Sequence, residues 1–113
     1  YSRVKHTSMS EKEFTKAITV DGNDRLRVRI VTKKGSVTDV VVQYEARIKE
    51  RWHPIVRYDC SHGFFHRDML NFKAEGEKKI IPINNLKDAL TYAEQDIMDR
   101  WEWYKERFKR RMK

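Results

Sequence analysis

The stretch RLRVRIVTKKGSVTDVVVQYEARI (25–48) decides the fold. In its first half Leu26, Val28 and Ile30 alternate with Arg25, Arg27 and Arg29. Apolar residues at period two, some of them β-branched, make a half-buried strand with three arginines on its outer face. TKKGS (32–36) is a turn, and beyond it Val40, Val42, Tyr44, Ala46 and Ile48 keep one register. Residues 37–50 are therefore the long second strand of a hairpin.

Working outward, RWHPIVRYD (51–59) predicts a third strand. Pro54 cannot donate to a ladder, so an edge or a bulge is expected there. GFFHRDMLNF (63–72) is a fourth strand, EGEK (75–78) a turn, and KIIPI (79–83) a short last strand. Upstream, FTKAITV (14–20) alternates weakly before the turn signal DGND, and residues 1–13 show no period and are expected to form a flexible or loosely docked arm.

After Pro82 the period changes. Asn85 is a good N-cap, and Asp88 falls in the first turn, where a negative charge suits the helix dipole. Leu86, Leu90, Ala93, Ile97, Trp101, Tyr104 and Phe108 form one apolar stripe, which predicts a helix over about 86–111. The fold class is α+β: an antiparallel meander of four to five strands with one long C-terminal helix packed on one face, in a single domain over 1–113. Such a helix would be about 39 Å long, against roughly 20 to 24 Å across the sheet, so its end is expected to overhang.

A chain of 113 residues can bury enough surface to fold without a staple. Its one cysteine, Cys60, excludes an internal disulfide framework and fits a reducing compartment. No apolar run reaches a membrane span, and the N-terminus lacks a signal-peptide core, so a cytoplasmic protein without membrane contact is expected. The 25 Lys and Arg outnumber 17 Asp and Glu, for a formal charge of +8. That surplus favours RNA or DNA as a partner, or else belongs to a charge-rich, solvated surface of thermophile type.

The candidate phosphate contacts are Arg25, Arg27 and Arg29 on the open sheet face, and Lys109, Arg110 and Arg111 in the tail KERFKRRMK (105–113). The alternatives are cross-strand pairing of the arginines with Glu45 or Asp39, and a solvated helix end whose cations suit the dipole. No RNA-recognition signature of the aromatic sheet type occurs. Trp103 points away from the stripe, where it is free to stack on a base, to bury in the partner subunit of a homodimer, or to be shielded by the N-terminal arm.

RYDCSHGFFHRD (57–68) gathers two histidines, two aspartates and two arginines around a short turn. Strand parity puts Arg57, Asp59, His66 and Asp68 on one side with His62 above them at the turn, and Arg67 on the other side. Three readings compete. His62 and His66 serve as base and acid, with Arg57 or Arg67 holding a phosphate, which is all that metal-independent RNA cleavage needs. Alternatively His62, His66, Asp59 and Asp68 hold a metal, although no cysteine pair supports this. Or the residues form an ion-pair and hydrogen-bond network that fixes the hairpin. The catalytic candidates are thus His62, His66, Arg57 and Asp59, with no cofactor and no metal expected.

VRYDCSHGFFHRD (56–68) also resembles the arginine-tyrosine-aspartate, then histidine, pattern of small TumE-like toxin proteins and related small archaeal and bacterial proteins. The resemblance covers this stretch and the order of strands, then helix. Arg57, Tyr58 and Asp59 match its first element, and His62 and His66 its histidine element. It implies the toxin of a toxin–antitoxin pair, with an antitoxin partner and a nucleic-acid target. Together these readings lead to a small nucleic-acid-acting protein, a toxin-like ribonuclease or a non-enzymatic binding or structural module.

Overall fold

A computed structural model describes residues 9–60 and 63–112. It contains β1 (Met9–Ala17), β2 (Asp24–Lys33), β3 (Ser36–Ile48), β4 (Arg51–Asp59), β5 (His66–Leu70), β6 (Gly76–Ile80) and α1 (Leu86–Arg110). The strands form one antiparallel sheet in sequence order, a six-stranded meander, and α1 packs on one face. The α+β class and the meander agree with the sequence; the strand count exceeds it. Among the described residues no helix is long and apolar enough to cross a membrane.

Two of the differences have the same cause. Met9–Glu13, expected to belong to the arm, pairs with Arg29–Lys33 as the outer half of β1. The remainder of the expected arm, residues 1–8, lies outside the described residues. At the other edge, residues 76–78 are strand and not turn. The turn lies just before, where the Asn71 side-chain oxygen accepts from the amides of Lys73 and Glu75. Gly76 opens β6 because a Cβ there would stand 2.9 Å from the Cβ of Asp68. Both edge strands are exposed, so neither needs the apolar alternation that marks a strand in sequence.

The bulge expected at Pro54 is present. The β3–β4 register shifts between Tyr44 and Glu45, which pair with Val56 and Pro54. The extra residue, Ile55, turns into the core. Below it, Ile48 pairs with Arg51, leaving Lys49 and Glu50 as a two-residue turn at φ 53° and 67°.

The Asn85 side chain caps α1 by accepting from the amides of Lys87 and Asp88. Ala93, Ile97, Tyr104 and Phe108 of the predicted stripe are buried, joined by Ala89. Leu86, Leu90 and Trp101 pack against the same core half-buried. The helix does not cross the sheet. Its N-terminus shares a groove with Gly35, Ser36 and Val37 at the start of β3. Near its C-terminus the Phe108 ring lies 5.5 Å from that of His53, beyond the end of β3. The axis thus follows β3: 25 helical residues cover about 37 Å and 13 strand residues about 43 Å. The expected overhang is absent for that reason, and Phe108 is 1% exposed with Met112 packed beside it.

Two polar knots fasten this interface. Tyr44 donates to Asp24 at 2.5 Å, and Lys105 Nζ lies 3.2 Å from the same carboxylate. Asp96 on α1 accepts from Tyr58 at 2.6 Å and from Tyr104. Burial, followed by the neighbouring carboxylates, pushes the Tyr44 and Tyr58 hydroxyls far above their ordinary range, so both remain donors.

Ala89 and Ala93 are fully buried where the helix lies on the sheet. Ala93→Leu would force added methylenes into that space and is expected to cost about 1–3 kcal/mol. Urea unfolding followed by far-UV circular dichroism measures it; an unchanged midpoint would show the helix seat to be loose.

Candidate functional site

The strand register places Arg25, Arg27 and Arg29 on the face that α1 leaves open, as the alternation predicts. They do not present bare charge. Arg25 and Arg27 donate to Glu45 at 2.7 and 3.0 Å. Arg29 donates to Glu11 at 2.9 Å and to Asp39 at 3.1 Å. Burial alone would raise the Glu45 carboxyl, but hydrogen bonds from Arg27, Arg25 and Gln43 outweigh it and hold the group below its usual range. Arg57 donates to Gln43 at 2.8 Å and has no carboxylate within ion-pair distance among the described residues.

Arg57, Asp59, His66 and Asp68 share this open face. Asp59 pairs with His66 and Arg57 with Asp68 across β4 and β5. The imidazole is 2% exposed. Its Nε2 lies 2.8 Å from Asp59 Oδ1, and its Nδ1 lies 3.6 Å from Asp68 Oδ2. Lys78 of β6 closes the group, with Nζ 3.2 Å from Asp68 Oδ1 and 3.5 Å from His66 Nδ1. Both ring nitrogens therefore face protein carboxylates. Asp59, His66 and Asp68 each offer one donor atom within 4.8 Å of the others, which a cation could use. The Lys78 ammonium already supplies positive charge between two of them. His62 lies outside the described residues.

Other candidates are kept apart from this cluster. Arg67 is on the opposite face, beneath α1, where it donates to the Tyr104 hydroxyl at 3.3 Å. Lys109, Arg110 and Arg111 end the helix at the far end of the sheet, near the β3–β4 turn. From Asp59 to Arg51 the strand runs eight residue steps, roughly 26 Å. A phosphate held by the tail thus lies far from His66. Cys60 donates to Asp39 at 3.1 Å; burial, then that carboxylate, pushes its thiol up, so it stays protonated.

Sequence reading missed the β3–β4 hairpin tip. Arg47, Lys49 and Arg51 are exposed, and none has a carboxylate within ion-pair distance among the described residues. Beside them Trp52 is 38% exposed, with the Arg25 guanidinium 3.7 Å from its ring centroid. The signal was present as RIKERW (47–52), cations around a two-residue turn followed by an aromatic. Periodicity assigned these residues to strands without asking what the tip would carry.

The geometry sets expectations for two side chains. His66→Ala removes the imidazole between two buried carboxylates and is expected to cost about 1–3 kcal/mol, read as a melting temperature several degrees lower. An unchanged melting temperature would show that the cluster carries no stability. Glu45 is held below its ordinary value of about 4.3, so its contribution is complete above that pH and is lost as the pH falls through the lower folded value. Glu45→Gln should remove this share of the acid dependence, measured by urea midpoints between pH 2 and pH 6.

No curated protein and no solved structure matches the chain. Nothing in these comparisons links it to TumE-like toxins. The model of one family, described as Domain of unknown function (DUF7718), matches residues 9–113, and by this span the chain belongs to that family.

Proposed function

We propose that the protein is a non-enzymatic nucleic-acid-binding module that holds phosphates with the basic end formed by the β3–β4 hairpin tip and the C-terminus of α1. The observation that carries this reading is the meeting of two cation groups from distant parts of the chain. Seating Phe108 against His53 puts Lys109, Arg110 and Arg111 at the same end as Arg47, Lys49 and Arg51. Lys109 reaches Glu106 only at 4.0 Å, and Arg111 shares Glu77 with Arg107. Glu50 is the one carboxylate in residues 47–51. Cations left unpaired by the fold are the ones that phosphates can neutralise. By the same argument the Arg25, Arg27 and Arg29 stripe contributes less, since each arginine already has a carboxylate.

The burial of His66 and the carboxylates at both its nitrogens support a structural role over acid–base catalysis. A ribonuclease needs an imidazole within reach of the phosphate it cleaves. The reading requires neither an antitoxin-like partner nor a second copy of the chain, and it fits a cytoplasmic setting where RNA and DNA are at hand.

Fluorescence anisotropy of a labelled oligonucleotide, titrated at several salt concentrations, tests the proposal. Affinity should fall steeply with salt because bound phosphates release counterions. Changing Lys109, Arg110 and Arg111 to Ala, or Arg47, Lys49 and Arg51 to Ala, should each flatten the log–log slope by about 0.7–0.9 for every phosphate that is no longer neutralised. No binding at low salt would end the proposal.

A further inference from the structure

We infer that the nucleic acid is taken single-stranded, with a base stacked on Trp52; this rests on the nucleic-acid reading above. Trp52 lies on the open face, paired across the ladder with Arg47, at the edge of the basic end. Its ring is not a loose surface aromatic. The Arg25 guanidinium lies over it, 3.7 Å from the centroid, and Arg25 is itself held by Glu45 at 2.7 Å. The carboxylate fixes the guanidinium, and the guanidinium fixes the indole. The ring still exposes 38% of its surface. A stacking platform ordered before binding loses little entropy when a base arrives.

Its surroundings distinguish it from the other exposed tryptophan. Trp103 is 45% exposed and also carries a guanidinium, that of Arg100 at 4.7 Å. It stands on the outer face of α1 among Asp99, Glu102 and Glu106, which repel a phosphate chain. Trp52 is flanked instead by Arg47 and Arg51. Phosphate contacts alone serve a duplex as well as a single strand. A π-face set between cations serves only bases that are out of a helix, and it is tolerant of sequence because every base has a face to stack.

The test compares oligo-dT, oligo-rU and a DNA duplex of equal length at one low salt concentration, with wild type, Trp52→Ala, Trp52→Phe and Trp103→Ala. Both single strands are expected to bind the wild type more tightly than the duplex and to quench its tryptophan emission. Trp52→Ala should weaken both single strands by about 5- to 100-fold and leave the duplex within about twofold. Trp52→Phe should retain most of the affinity, and Trp103→Ala all of it. If Trp52→Ala lowers the melting temperature, Trp52→Leu, which still covers Arg25 but has no π-face, takes its place. Equal binding of single strand and duplex by the wild type, or an unaltered single-strand affinity without the indole, overturns this inference and leaves the nucleic-acid reading standing. Failure of the wild type to bind any of the three overturns both.

Discussion

The close seating of α1 along β3 is the constraint on which the rest of the molecule depends. A helix lying across a meander would touch each strand briefly and project beyond it. Lying along one long strand, it buries Ala89, Ala93, Ile97, Tyr104 and Phe108 over its full length. Alanines on the contact face let the backbones approach, and the Asp24 and Asp96 knots hold the azimuth. The direction of the helix then settles which ends of the chain meet. Its C-terminal cations arrive at the β3–β4 tip, while the β4–β5 turn with Asp59 and His66 stays at the other end.

The open face shows how a strongly basic chain can still keep little free charge on a given surface. Glu45 serves two arginines and Gln43 at once, and Arg29 is clamped between β1 and β3. These cross-strand pairs hold the three strands in register on the side that no helix covers. The surplus charge is thereby displaced to turns and to the helix terminus, where carboxylates are fewer. Net charge alone therefore says little about where a polyanion would sit; the pairing pattern says more.

Much of this was legible in the sequence, and the misses have physical causes. β2, β3, β4 and α1 were readable because each buries one face, and burial imposes a period. Pro54 announced its bulge through its missing donor. Strand parity alone assigned Arg57, Asp59, His66 and Asp68 to one face and Arg67 to the other. The outer half of β1 and the start of β6 escaped because exposed edges impose no pattern. The course of the helix escaped for another reason: its stripe specifies which face is buried, not the direction in which that face crosses the strands. With it went the meeting of residues 47–52 with 109–111, and the role of Lys78 beside His66, which depends on pairing with an edge strand.

The two edge strands have a consequence of their own. An open meander ends in two rows of unsatisfied backbone groups, each a template on which another chain could grow a sheet. Here β1 carries Glu11, Lys12 and Glu13 in succession, and β6 carries Glu77, Lys78 and Lys79. Charge on both faces of an edge means that an incoming strand must desolvate ions whichever way it is turned. The features that hid these strands from a hydrophobic pattern are those that keep the protein from polymerising through them.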